Sequence, residues 1–485
     1  MGGEDYQEES KQKGGCKVSE LTIPEAIAEA DGLDGKHRDL VHRLVKAWYD
    51  HYNRNCLRHT YYLMRNKLVD LGISIPPNLT NLDAACGWGK KTVDVMVEHS
   101  KFDGFTVDDS GAQSLLNAVM QRNKMRVKYR KATTSAFEQS FNLYFVSKGE
   151  GGHARVSAYP ASACGVTWDD ANDCIEAAMF VVSLKKKDSA DEADEPDWVN
   201  VVTPEFVIRI RCDDDRWHAE YAEHGLKHLP VFLAAYEATL ERPFGASRIT
   251  REVMGYINSA VRANINEEIA AAFAASAQKY LLGTDGDPFE SRSRWDAYIG
   301  SIFNIDMTTD GTIPQFGQLP QPSMQPLTDH FRSLCGKMSA ATGVHVSQFG
   351  QVHDQPSSAE AIYAENEPLI LKVKDWNIDV GETLTDVAIA CIATEEGVTF
   401  GEIEERGYSI LANFQNPAMP TLAQMTDSNV KIASVVPGYA QTPTFWRLNG
   451  FTEDQVVTIQ NELQRAQGGF MLAQLFGGGG QNDQA

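Results

Sequence analysis

The segment SSAEAIYAENEPLILKVKDWNIDVGETLTDVAIACIAT, residues 357–394, decides the fold that this sequence predicts. Apolar residues recur along it at steps of three, four and seven, and this spacing places them on one face of an α-helix. They are Ile362, Leu369, Val373, Trp376, Val380, Leu384, Val387 and Cys391. Ser357 and Glu360 form a capping box at the start, and Pro368 predicts a bend because it lacks a backbone N–H. The segment therefore predicts one bent helix about 50 Å long, which suits a spine for the other elements.

Two shorter helices precede this segment. Residues 250–282 carry apolar residues at steps of four, and Gly283 suits the end of that helix. In residues 326–342 a proline stands at the first helical position and Gly343 ends the helix. An irregular insert, 284–322, separates the two helices, and a polar loop, Val344–Gln355, follows the second.

The rest of the chain reads as a mixture of helices and short strands, so the predicted fold class is α+β, mainly α. The predicted helices are Lys36–Leu71 (as two helices), Thr92–Glu98, Leu115–Met125, Leu422–Val435 and Thr452–Ala466. The predicted strands are Lys101–Val107 (with a tight Asp-Gly turn), 137–160, 175–184, Val199–Arg211, Trp217–Tyr221, Leu226–Ala234 and Val398–Ile403.

Composition narrows the function classes. The net charge of −22 argues against a protein that grips nucleic acid by neutralising phosphates, but suits one that lets DNA slide past. No apolar run reaches 18 residues and the N-terminus lacks a basic and an apolar region, so neither a membrane span nor a signal peptide is predicted. The eight cysteines form no C-x-x-C pair and read as buried free thiols.

Two motifs invite a catalytic interpretation and fail it. Gly87–Thr92, GWGKKT, departs from a phosphate-binding loop because Ala84 replaces the first glycine and Lys91 stands where Ser or Thr is needed. Asp213–Asp215 reads as a solvated hairpin turn, since adjacent strand residues point to opposite faces. We therefore predict no catalytic residue, no metal site and no cofactor.

Five strings, taken in order, resemble the portal (head-to-tail connector) proteins of tailed double-stranded DNA bacteriophages, of the siphophage type. The resemblance covers about residues 36–465. The strings are HYNRNCLRHTYY (51–62), CGWGKKTVDVMVEHSKFDGF (86–105), HARVSAYPASACGVTWDD (153–170), HGLKHLPVFLAAY (224–236) and GVHVSQFGQVHDQPSSAEAIYAENEPLILKVKDW (343–376).

The resemblance implies a ring subunit with long stem and spine helices, a mixed α/β wing and clip, and a helical crown. The implied ring, typically a dodecamer, sits at one capsid vertex and is the channel for DNA packaging and ejection. The implied divisions are a disordered arm 1–35, wing 36–247, stem helix 248–283, clip 284–325, stem helix 326–343, tunnel loop 344–356, spine helix 357–396, wing return 397–421, crown 422–467 and a flexible Gly-rich tail 468–485.

The resemblance also assigns candidate site residues. The tunnel-loop candidates that face the DNA channel are His345, Gln348, Gln351, His353 and Gln355. The basic stem candidates for the channel surface are Arg262, Arg332 and Lys337. The clip candidates for partner contacts are Arg292, Arg294 and Trp295. The candidates for packing between subunits are Ile362, Leu369, Val373, Trp376 and Val380.

The implied partners are other copies of the chain, double-stranded DNA, the terminase large subunit, a head-tail adaptor, and the major capsid and scaffolding proteins, with no membrane. The implied location is the virion, after assembly in the host cytoplasm. Another phage assembly protein is the alternative, and it would lack the stem–clip–stem–loop–spine order. A cytosolic enzyme would need a catalytic constellation that this sequence does not show.

Overall fold

The computed structural model describes residues 23–66, 85–185, 195–213, 216–275, 279–282, 311, 315–318, 323–351, 359–418, 422–451 and 455–465. The chain divides into two compact units, Met1–Pro417 and Ala418–Ala485. The helices of the first unit are α1 Ile23–Ala28, α2 Gly35–Tyr62, α3 Trp88–His99, α4 Ser110–Asn123, α5 Met125–Gln139, α6 Arg251–Ala275, α7 Gln325–Thr342, α8 Ala359–Glu396 and α9 Phe400–Glu405. None of the described helices is long and apolar enough to cross a membrane.

The described strands pair into four antiparallel sheets, all in the first unit. The strands are β1 Phe102–Val107, β2 Phe141–Lys148, β3 Ala154–Pro160, β4 Cys164–Asp169, β5 Cys174–Lys185, β6 Glu195–Val202, β7 Phe206–Asp213, β8 Arg216–Glu223, β9 Val231–Ala235, β10 Lys279–Leu282, β11 Gln315–Gln318 and β12 Ile410–Phe414. The sheet orders are β4-β5-β6-β7-β8, β3-β2-β9, β1-β12 and β10-β11. The α+β class is confirmed.

The long helix is confirmed as α8, with Pro368 inside it. Ser357 and Ser358, and with them the predicted capping box, lie outside the described residues. The apolar face of α8 from Leu369 to Cys391 is buried in the core of the first unit. Trp376 is 2% exposed, packs edge-on against Phe137 and donates from its indole N–H to the hydroxyl of Tyr129 at 3.1 Å.

This burial corrects the prediction about packing between subunits. Leu369, Val373, Trp376 and Val380 are buried by elements of their own chain, so they have no free surface for a neighbour. The side chain of Ile362 lies outside the described residues. The spacing correctly indicated a buried face, but the partner that buries it is intramolecular.

Several element predictions need correction. The two helices predicted in Lys36–Leu71 are one helix, α2, because its buried face continues through the polar HYNRN string, from Trp48 past Asn55 to Tyr61. The predicted Asp-Gly turn is a bulge at Gly104 inside β1. Helix α6 ends at Ala275, and Lys279–Leu282, predicted as its last turn, is strand β10.

Further segments change type or were not anticipated. Val398–Ile403, predicted as a strand, contains the start of helix α9, where the side chains of Thr399 and Glu402 form a capping box. Helices α1 and α5 and strand β12 have no counterpart in the sequence-based prediction. Helix α1, whose Ile27 is buried, lies within residues 1–35, so the prediction of a disordered arm is wrong for that part. Strand β12 pairs with β1 and so joins the chain after α8 to an early strand.

The second unit is helical where it is described. Helix α10, Leu422–Val435, has the predicted bounds, and residues 455–465 are helical within the predicted Thr452–Ala466. A short helix, α11, Pro443–Leu448, lies between them and was not predicted. Phe445, Trp446 and Phe451 stack edge to face at 5.3–5.4 Å and form its small aromatic cluster.

Candidate functional site

Helices α6 and α7 form an antiparallel pair, which we call the hairpin. Two contacts fix its direction: Thr328 lies 3.4 Å from Glu267, and Arg248, just before α6, contacts Thr342 at the end of α7. Strands β10 and β11 pair in antiparallel fashion just beyond the far ends of the helices. The hairpin therefore leaves the body of the first unit and returns to the same place.

The base of the hairpin is held by the buried guanidinium of Arg248, which is 6% exposed. It donates to the backbone carbonyls of Thr92 at 2.9 Å and Thr342 at 2.8 Å, and to the hydroxyl of Tyr236 at 2.9 Å. Burial is the main cause that raises the pKa of Tyr236, to about 12, so this hydroxyl stays protonated. One side chain thus ties α3, the end of β9 and the end of α7 together.

Burial falls along the hairpin from its base to its tip. In α6, Val253, Ile257, Val261 and Ile265 are buried, but none of residues 266–271 is. In α7, the buried residues begin at Leu334, and none of residues 325–333 is buried. The described first unit therefore covers the base of the hairpin and leaves apolar side chains near the tip half-exposed.

The segment after α7 turns sharply at Gly343, whose φ of +70° lies in the left-handed region that glycine tolerates. A short 3-10 turn, Val346–Phe349, follows and ends at Gly350, with φ +95°. Phe349 is buried, and its ring lies 5.6 Å from that of Trp88. This aromatic contact anchors the start of the predicted tunnel loop.

His345 connects this segment to the long helix. Its Nδ1 accepts the backbone N–H of Ser347 at 3.3 Å and the hydroxyl of Ser347 at 2.7 Å. Its Nε2 lies 3.2 Å from a carboxylate oxygen of Glu365. His345 therefore fixes the start of the loop against α8 and is not available as a freely rotating channel group.

The other predicted channel residues have different positions. Gln348 is exposed and Gln351 is half-buried, while His353 and Gln355 lie outside the described residues. On the hairpin, Arg332 and Lys337 are exposed, and Arg332 lies 3.9 Å from Asp329 one turn away. Arg262 is half-buried and donates to the hydroxyl of Ser259 at 3.2 Å. The clip candidates Arg292, Arg294 and Trp295 lie outside the described residues.

The GWGKKT string has a packing role. A Cβ at Gly89 would lie 2.7 Å from the carbonyl oxygen of Tyr61 and 3.2 Å from Ile257, so glycine lets α2, α3 and α6 approach closely. Trp88 lies between Phe331 of α7 and Phe349 of the following segment. The string therefore joins the hairpin to the body.

Sequence reasoning missed Arg248, Trp88 and Phe349 as parts of this site. Trp88 stood in a motif rejected on other grounds, and Phe349 stood in a segment read as polar. A search of the described residues also finds no group of three or more His, Cys, Asp or Glu that could hold a metal ion. The site thus consists of a helical hairpin fixed at its base, an anchored turn and the exposed amide side chain of Gln348.

The order of a mixed α/β body, a helical hairpin, an anchored loop and a long helix matches the order expected of a phage portal subunit. Comparison with known proteins agrees: the family "Phage portal protein, SPP1 Gp6-like" matches residues 41–469. The chain belongs to this family.

The portal protein of Mycobacterium phage L5 is 22% identical over 405 residues, which cover 80% of each chain. The portal protein of Mycobacterium phage D29 is 22% identical over 410 residues, covering 80% of this chain and 81% of that protein. Among solved structures, the neck of a native gene transfer agent particle, computed with C12 symmetry, aligns over 78% of this chain and 95% of its own. That alignment has 12% identity and a TM-score of 0.39.

Proposed function

We propose that this portal protein assembles into a ring, with twelve subunits as the expected number, at one vertex of a phage capsid. The observation that carries the proposal is the family match over residues 41–469. The hairpin supports it, because its tip keeps apolar residues half-exposed, including Leu327 and Ile269. A neighbouring copy in a ring would cover such a surface.

The same proposal gives the segment after α7 the role of a channel constriction. Gln348 is exposed on a turn whose two ends are fixed by Phe349 and by His345. Neutral amides make weak, exchangeable contacts with phosphates, and a wall of net negative charge repels the duplex. Such a surface lets DNA move past, whereas a basic clamp would hold it.

The proposed ring also has protein partners. Residues 284–325 would contact the terminase large subunit during packaging and the head-tail adaptor afterwards, through Arg292, Arg294 and Trp295. Major capsid and scaffolding proteins would surround the ring, which would assemble in the host cytoplasm. The energy for packaging would come from a separate motor, and the protein itself would have no enzymatic activity.

The ring is tested by electron microscopy of the purified full-length protein, with mass photometry on the same sample. We expect class averages of rings with a central hole and a mass that is a multiple of the 53.6 kDa chain. Monomers at every concentration would contradict the proposed assembly.

The constriction is tested by deleting residues 350–353 and scoring filled heads in a complementation assay. We expect intact rings and few filled heads, because the deletion spares Phe349 and the buried core. A matched control replaces the same four residues with Gly-Ser-Gly-Ser and separates loop length from side-chain chemistry. Normal yields of filled, infectious particles from the deletion would remove the channel role from this segment.

A further inference from the structure

Strand β3 lies at one edge of the sheet β3-β2-β9, and the chain covers that edge only in part. The backbone N–H of Ala154 donates to Glu395 at 2.9 Å, and its carbonyl accepts from Asn123 at 3.0 Å. The N–H of Val156 donates to the same Asn123 at 2.9 Å, and its carbonyl accepts from the ammonium of Lys128. We call a residue whose backbone N–H and C=O both face this edge a rung. Side chains therefore satisfy two successive rungs, Ala154 and Val156.

The next rung in the same direction is Ala158. Backbone groups alternate between the two sides of a strand, so the N–H and C=O of Ala158 point to the same edge as those of Ala154 and Val156. No described side chain bonds to them, and Pro160 on the following rung has no N–H to offer. Ala158 is thus an open rung at an otherwise protected edge, a feature that invites another strand.

The open rung lines a cleft of about 510 Å³ between this edge and helix α5. Lys128, Lys131 and Arg155 also line the cleft, and no carboxylate does so among the described residues. None of the three cations forms an ion pair in the described part of the chain. In a protein of net charge −22, this local excess of positive charge selects an anionic partner.

The surroundings of Lys128 also favour an anion in the cleft. Burial is the first cause that lowers the pKa of Lys128, and repulsion from Arg155 adds to it. A bound anion would offset that repulsion.

We propose that this cleft binds an extended acidic segment of a partner protein. The segment adds one backbone rung at Ala158 and places carboxylates against Lys131 and Arg155. A phosphodiester of DNA could accept the N–H of Ala158 but has no donor for its carbonyl, whereas a peptide backbone supplies both. The geometry therefore favours a peptide over DNA.

The test measures binding of two labelled, end-blocked heptapeptides to the full-length protein by fluorescence anisotropy. One alternates Thr with Asp, and the other alternates Thr with Asn. We expect binding of the Asp peptide that weakens as salt is raised, and no binding of the Asn peptide. The double substitution Lys131→Gln/Arg155→Gln should weaken it at least about tenfold. The matched control Arg38→Gln/Arg130→Gln removes two exposed cations outside the cleft and should leave it unchanged.

Ala158→Pro tests the rung itself, because it removes an N–H that has no partner in the described chain. Its melting temperature should stay near that of the wild type, and binding of the Asp peptide should fall about as much as with the double substitution. Failure of the Asp peptide to bind at millimolar concentration would overturn the proposal. So would equal binding by the Ala158→Pro protein, or displacement of the peptide by inorganic phosphate or a DNA duplex at matched ionic strength.

Discussion

The long helix α8 and the hairpin of α6 and α7 have similar amphipathic sequences and opposite surroundings. The apolar face of α8 from Leu369 to Cys391 is covered along its length by its own chain. Among the described residues, the hairpin is buried only at its base, and apolar residues near its tip are half-exposed. A period of 3.6 residues identifies a buried face, but not whether the covering surface comes from the same chain or from another.

Because the Trp376 face of α8 is buried within its own chain, we expect the contacts between subunits on other surfaces. On α8 they cannot involve the face that carries Trp376, but the opposite side carries Leu371, 52% exposed, and Ile378, 66% exposed. These two residues are seven positions apart and lie on one side of the helix. Together with the hairpin tip, they are exposed apolar surfaces of the described chain that we expect a neighbouring subunit to cover.

The largest expected loss of stability follows from a substitution on the buried face of α8. Trp376→Ala removes a buried ring and its hydrogen bond to Tyr129, and should lower the free energy of unfolding by about 3–5 kcal/mol. Urea unfolding followed by circular dichroism measures the change, and Lys374→Ala on the exposed side of α8 is the control. An effect that vanished in dilute, dissociated protein would mean that the face is buried by another subunit after all.

A somewhat smaller loss is expected at the hairpin base. Arg248→Met leaves two buried carbonyls and the hydroxyl of Tyr236 without their donor, at a cost of about 2–4 kcal/mol. Hydrogen exchange should rise in residues 342–349, because the end of α7 is released. Arg262→Met, which loses one bond to Ser259, is the control on the same hairpin, with an expected change below about 0.5 kcal/mol. Equal exchange in both variants would show that Arg248 does not hold the base.

The uncovered side of α8 should affect assembly and not folding. Ile378→Glu places a charge where an apolar contact is expected, so rings should dissociate at protein concentrations that keep the wild type assembled. Each lost apolar contact of this size is worth about 1–2 kcal/mol. Light scattering across a dilution series measures the shift, and the melting temperature of the dissociated subunit should not change. Unaltered rings would leave the hairpin tip as the main interface.

The smallest expected effect is a pH-dependent change in the stability of the fold. The pKa of Asp386 on α8 is raised from 3.8 to about 6, first by burial and then by Glu404 and Glu382. A raised carboxyl pKa disfavours the ionised form in the folded state, so the fold loses stability as pH rises through 6. Asp386→Asn should raise the melting temperature at pH 7.5, by an equivalent of about 0.5 kcal/mol or less because solvent screens the side chain. The difference should fade towards pH 4; a difference that is equal at both pH values would contradict this cause.

Local signals explain what the sequence could predict. Pro326 and Gly343 mark the two ends of α7, and the apolar period marks α8, because each of these depends on residues a few positions apart. The same kind of signal misled at Val398–Ile403, where alternating apolar residues favoured a strand and the Thr399–Glu402 capping box decided for a helix.

What could not be predicted depends on distant residues. Arg248 bonds to carbonyls 156 and 94 positions away, at Thr92 and Thr342, and backbone carbonyls leave no trace in a sequence. Trp376 is covered by Tyr129 and Phe137, which belong to a helix that no periodicity revealed. The existence of a buried face was therefore accessible from the sequence, while its partners were not.

The contacts of Arg248 have a mechanical consequence. The hairpin leaves the body at Arg251 and returns at Thr342. The guanidinium of Arg248, just before α6, bonds to the end of α7 and so holds the two ends of the hairpin together. A force applied at the tip is then transmitted to Arg248, and from Arg248 through its hydrogen bond to Thr92 into α3. The two helices of the hairpin should consequently tilt together when a force acts on its tip.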